Sequence, residues 1–194
     1  MEEKTFVDDI NRSVYDIKNE ENDSYRIKQG LTPEIVEKIS EEKHDPAWMR
    51  EFRLKSLEIY NNMQVPDWGP SIDGLNMDNI ATYVRANTNM KGDWKDVPEE
   101  IKDTFDRLGI PKAERESLAG VGAQYDSELV YHNVRKEVAD QGVVYTDMES
   151  ALTGEYADMV HEHFMKLITP QDHKFAALHG AVSVSYTHLT LPTT

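Results

Sequence analysis

The chain has 194 residues, 39% hydrophobic and 29% charged, with 36 acidic against 21 basic residues and a net charge of −15, enough for one modest core with or without an appendage. So acidic a surface repels nucleic-acid phosphates and anionic lipid, which argues against both as partners. The sequence holds no cysteine, so it offers no disulfide, thiol nucleophile or thiolate metal ligand.

The start, MEEKTFVDD, lacks a basic segment followed by an apolar one, so no secretory signal is expected. No apolar run approaches the roughly 20 residues that span a bilayer. These features predict a soluble, cytoplasmic chain. Thr5 is a candidate cap for a first helix with Val7, Ile10, Val14 and Ile17 at helical spacing. Residues 19–23 form a polar break. Thr32 and Pro33 then predict a capped helix carrying Ile35, Val36 and Ile39. Asp45 and Pro46 repeat the device before the longest helix, whose expected stripe is Met49, Phe52, Ile59, Tyr60 and Met63, with Trp48 beside it. Pro66 should stop it, and residues 65–74, rich in Pro and Gly, should be loop.

Residues 80–85 fit either a short strand or a helical turn. Pro98 opens a helix with Glu99 and Glu100 in its first turn, Ile101, Phe105 and Leu108 on one face, and Gly109 at its C-terminal end. Pro111 predicts a shorter helix ending near Gly120. After that the pattern suggests a strand over 125–131, a short helix over 134–141 and a second strand over 142–145. Thr146 and Glu149 match a capping box, so Thr146→Ala would cost about 0.5–2 kcal/mol. A helix over 155–168 should bury Tyr156, Met159, Val160, His163, Phe164 and Leu167 and end at Pro170. The whole predicts a mostly helical α+β fold.

Chemical signals are sparse. His161 and His163, two apart on a helix, point in different directions and miss the HExxH zinc spacing, so a packed His163 beside an exposed His161 is expected. Gly120 and Gly122 read as a turn between helix and strand, because Tyr125 stands where a dinucleotide loop needs its third glycine. The pairs His132–Asn133 and Asp172–His173 lack the third group and pocket that catalysis demands. Asp172 should instead cap a helix over 174–179. Glu41, Glu42, Glu99 and Glu100 read as solvated faces. Trp48, Phe52, Trp68 and Trp94 read as core and loop anchors, since no basic groove accompanies them. No catalytic, cofactor-binding or metal-binding residue is assigned, and the chain is expected not to be an enzyme.

Four blocks carry a resemblance, in this order: HDPAWMREFRLKSLEIYNNMQVPDWGPS (44–71), KGDWKDVPEEIKDTFDRLGIPKAERESLAGVGAQYDSELVYHNV (91–134), QGVVYTDMESAL (141–152) and DHKFAALHGAV (172–182). Together they resemble the SufB family, the scaffold subunits of the SUF iron–sulfur cluster assembly system, more than the paralogous SufD family. The resemblance implies a scaffold that pairs with SufD, engages the ATPase SufC, builds a cluster and passes it to apo-proteins. It also implies that the helical region leads into a long β-helix, and that sulfur-accepting, cluster-ligating and SufC-docking residues lie in parts of the family absent here. No functional residue is therefore carried over. Since clusters are held mainly by Cys thiolates, this piece is expected to hold none, whereas a full-length family member would.

The expected division is a helical region over 1–120, an α+β segment over 121–182, and a tail over 183–194. That tail, SVSYTHLTLPTT, has no charged residue and departs from the family pattern. It reads as non-native sequence following a truncation near Val182, or else as a polar frayed terminus. Two other readings are open: a free-standing acidic helical interaction module, and a small metal-dependent enzyme using His161, His163 and nearby carboxylates.

Overall fold

A computed structural model of the protein describes residues 23–69, 71–87, 91–107, 109, 120–125 and 127–183. The first expected helix, the Pro111 helix, Leu108 and residues 184–194 lie outside them. The described residues form an α+β fold, with helices predominating over two small antiparallel sheets.

Strand β1 (Asp23–Arg26) leads to helix α1 (Pro33–Glu42), which begins as Thr32 and Pro33 predict. Thr32 Oγ1 accepts the Ile35 N–H at 3.4 Å, satisfying one of the donors that a helix start leaves open. Helix α2 (Ala47–Asn62) is the longest, but its first turn has no side-chain cap. Asp45, expected there, is drawn instead into an ion pair with Arg53. The buried face also differs from the apolar stripe: Met49, Arg53, Ser56 and Leu57 are buried, while Ile59, Tyr60 and Met63 are half-buried. A pattern reading sends Arg and Ser to solvent, whereas tertiary partners have pulled them inside.

The undecided segment, 80–85, leads into a strand, and the helical turn lies just before it. A 3-10 turn covers Met77–Asn79, and β2 (Val84–Ala86) pairs antiparallel with β1. Helix α3 (Glu99–Arg107) follows Pro98 as expected, and Gly109 has a φ of +72°, the left-handed backbone suited to a helix end.

Strands β3 (Gly120–Tyr125) and β4 (Glu128–Val134) form an antiparallel hairpin. The single strand expected over 125–131 is therefore two, and Gly120 and Gly122 sit in a strand, not a turn. The reversal lies at Tyr125–Glu128, where Asp and Ser are turn-forming types that the apolar run on either side obscures. A Cβ on Gly122 would meet Tyr145 Oη at 2.9 Å, so glycine there admits the tyrosine. Residues 143–147 run as irregular chain, not as the second strand expected there.

Helix α4 (Lys136–Ala139) is a single turn, shorter than predicted. Helix α5 (Met148–Thr153) is capped by Asp147, which accepts the Ser150 N–H at 2.8 Å. The cap thus falls one residue beyond Thr146, and Glu149 binds Lys43 at 3.0 Å rather than closing a capping box. Helix α6 (Ala157–His163) ends well before Pro170, because Phe164 leaves helical geometry and Met165 turns left-handed at φ +49°. Helix α7 (Lys174–Val182) is capped by His173, whose Nδ1 accepts the Ala176 N–H at 3.1 Å. Asp172, the expected cap, instead accepts from the backbone N–H and hydroxyl of Thr169.

Helix α2 is central to the packing. Its Met49 meets Met148, Ala151, Leu152, Val160 and Phe164 of the α5–α6 region. Leu57 packs with Val36 of α1 and Ala181 of α7. A separate cluster joins Trp94, Val97 and Ile101 to Val130 and Tyr131 of β4. No described helix is long and apolar enough to cross a membrane.

Candidate functional site

Helices α2 and α7 run antiparallel and hold each other's C-terminal ends. Arg53 Nε donates to Asp45 at 2.6 Å, with side chains only 1% and 0% exposed. Its Nη1 donates to the Ser183 carbonyl at 2.6 Å and to Ala181 at 3.5 Å, placing a cation where the α7 dipole is negative. In return, Lys174 Nζ donates to the carbonyls of Tyr60 and Met63, at 2.9 and 2.8 Å, where α2 ends. The ammonium also lies 4.2 Å from the Tyr60 ring centroid. Ser183, assigned to the tail from sequence, is buried and joined to this network.

This fixed frame presents a cavity of about 490 Å³ beside α7, where α6 ends. His163, Lys166, His173 and His179 supply its polar lining, with no carboxylate among the described residues that line it. Met165, Leu167, Ile168 and Phe175 supply most of the apolar lining. Leu167 is 97% exposed and Ile168 63%, because the left-handed turn at Met165 carries them away from the core. Since Nδ1 of His173 accepts a backbone N–H, that ring holds its proton on Nε2. Desolvation, and then the charge of Arg53, hold the His179 imidazole below its usual pKa, although much of the residue meets solvent. Solvent at that open surface screens part of the Arg53 charge. A second cavity, of about 510 Å³, lies in the loop carrying Asp67, Ser71 and Asp73.

The sequence-predicted candidates scatter over the molecule. His161 and His163 are both exposed: it is His161 that packs, its ring 4.4 Å from that of Trp48, while His163 lines the first cavity. His161 is thus exposed as expected, whereas His163, the last residue of α6, is exposed where packing was expected. Among the described residues no three His, Asp or Glu side chains are grouped to hold a metal ion. His132 and Asn133 belong to β4. Glu41, Glu42 and Glu99 each meet a basic partner, Lys38 at 2.9 Å, Arg85 at 3.0 Å and Lys102 at 3.3 Å. The Lys38 hydrogen bond holds the exposed Glu41 carboxyl below its usual range.

The aromatics form no single cluster. Trp48 and Phe52 meet Phe164 edge-on, whereas Trp94 meets Phe105 and Tyr131 in the other core. Trp68 is 73% exposed, with its ring 5.9 Å from His173. Sequence reasoning missed the cavity. Its one available signal was the recurrence of His163, His173 and His179 near the ends of two helices.

Comparison with known proteins supplies what the geometry does not. The chain is 49% identical over 174 residues to the iron–sulfur cluster assembly protein SufB of Bacillus subtilis, a match covering 90% of this chain and 37% of that protein. It is 44% identical over the same length and shares to iron–sulfur cluster assembly SufBD family proteins of Staphylococcus haemolyticus and Staphylococcus epidermidis. The match thus spans little more than a third of these relatives' length. No family profile matches the chain, and no solved structure does. At that identity over 90% of its length, the chain belongs to the SufB/SufBD family of iron–sulfur cluster assembly proteins.

Proposed function

We propose that this chain forms the helical region of a SufB-type scaffold, which serves iron–sulfur cluster assembly without being an enzyme itself. The observation that supports this reading is the 49% identity over 90% of the chain to a protein named for that assembly. In this reading the cluster is cargo. It is built on parts of the scaffold other than these 194 cysteine-free residues, since thiolates are its main ligands. The helical region packs beside a β-helix, the scaffold works in the cytoplasm with SufD and the ATPase SufC, and finished clusters pass to apo-proteins.

A chimera tests it. Residues 23–183 replace the corresponding segment of the Bacillus subtilis relative in a strain that depends on the SUF system. Restored activity of iron–sulfur enzymes, where deletion of the segment gives none, is the expected result. A chimera that is folded and abundant yet inactive overturns the reading. A free-standing module, by contrast, has no reason to function inside the scaffold.

A further inference from the structure

We propose that the cavity beside α6 and α7 binds a small amphipathic organic anion, with an apolar body and a single carboxylate-type head. Size is the first argument: about 490 Å³ falls within the range of small-ligand sites. The second is the distribution of its lining. Leu167 and Ile168 stand almost free of the core at one side, and Phe175 and Met165 continue the apolar wall. Exposed aliphatic groups so close together gain from any apolar body that displaces their water.

The third argument is charge. On a chain of net charge −15, the described residues that line this cavity include Lys166 and three imidazoles and no carboxylate. Lys166 is exposed and makes no ion pair among the described residues. Its ammonium is therefore available to an anionic head, and the Nε2–H of His173, whose Nδ1 accepts a backbone N–H, is a donor. Asp172 interacts electrostatically with His173, so the anionic head is placed toward Lys166, while acidic groups farther off oppose it weakly because physiological salt screens charges beyond about 8 Å. Backbone geometry adds a fourth observation. Met165 lines the cavity in a left-handed conformation that a non-glycine residue adopts at a cost, and such strain is concentrated at ligand sites.

The probes are decanoate, its shorter homologue octanoate, decanol and a decyl trimethylammonium salt, titrated calorimetrically into the full chain. Decanoate should bind at one site, and each methylene removed should weaken it about fourfold, as burial of an apolar body requires. Decanol and the cation should bind about tenfold more weakly or worse, since they lose a charge-assisted hydrogen bond. Lys166→Glu and Leu167→Ser should each weaken decanoate while leaving the unfolding midpoint in place, both side chains being exposed. Equal binding of decanoate and decanol, indifference to both substitutions, or no binding of decanoate overturns the proposal. Concentration-dependent dimerisation abolished by Leu167→Ser also overturns it, by showing that the face is an interface between copies.

Discussion

Arg53 carries a full charge into the protein interior, and its surroundings decide whether that charge stabilises or destabilises the fold. Asp45 neutralises it, and the α7 carbonyls take up its remaining donors. Removing one member of a buried pair leaves the other as an unpaired buried charge, so Arg53→Met should cost about 3–5 kcal/mol. The exposed Lys38–Glu41 pair gives the contrast: Lys38→Met should leave stability almost unchanged. Urea midpoints for the two variants check this. Equal shifts would mean that Asp45 finds water or another partner. Near this network, His179 should make stability depend on pH. Its folded pKa lies below the ordinary 6.5, so between those values the unfolded chain binds more protons. This contribution is fully present above pH 6.5 and is lost as pH falls through the folded pKa. Stability measured from about pH 7.5 down to 5.5 should fall less steeply in His179→Gln than in the parent. An unchanged slope would show that the ring titrates alike in both states. Caps expose the limit of sequence reading at this scale. Pattern located two helix starts to within a residue yet chose Thr146 over Asp147 and Asp172 over His173, because adjacent polar residues offer competing acceptors.

Helix α2 shows what periodicity reveals and what it hides. Its existence and approximate length follow from spacing and proline placement, but Ser56 faces inward for a reason only the partner helix supplies. A Cβ on Gly180 of α7 would stand 2.6 Å from Ser56 Oγ and 3.0 Å from Ser56 Cβ. Two small residues thus let the helix backbones approach, which no alternation of apolar and polar residues encodes. Gly180→Ala sets two effects against each other. Alanine gains about 0.5–1 kcal/mol in a helix interior, whereas overpacking a tight contact costs about 1–3 kcal/mol. The contact here involves a Cβ as well as a rotatable hydroxyl, so the loss should prevail. Ser56→Gly in the Gly180→Ala background should recover part of it, and thermal unfolding of the parent and these two variants checks the sign. A stabilised single variant would mean that the helices separate at little cost. The misjudged end of α6 has a similar origin, since apolar spacing continues through Leu167 although the backbone departs at Phe164 and Met165. Had the helix continued, the exposed side of the cavity would not exist.

At the scale of the molecule, the long-range pairing of α2 with α7 could not be read from composition or spacing, whereas the α+β class could, and the family followed from the resemblance of four sequence blocks. The blocks that carry the resemblance span both of the packed regions that the fold brings together. One is built around α2, with α1, α5, α6 and α7 against it. The other joins Trp94, Val97 and α3 to β4. The hairpin links them at Ser127, whose N–H donates to the Val84 carbonyl and whose hydroxyl accepts the Val84 N–H, both at 3.0 Å. Two hydrogen bonds contribute only about 1 kcal/mol each, far less than the apolar burial around α2. The α3–β4 region should therefore open without the rest unfolding. Native-state hydrogen exchange tests this directly. Amides in the middle of α2 should exchange only through global unfolding, with the full dependence on denaturant. Amides of α3 should exchange through a smaller opening of lower free energy and weaker denaturant dependence. Ser127→Ala should lower the free energy of that opening while leaving α2 exchange almost unchanged, because only the smaller region loses an attachment. Coincident values for α2 and α3 in the parent chain would instead make the whole described fold one cooperative unit.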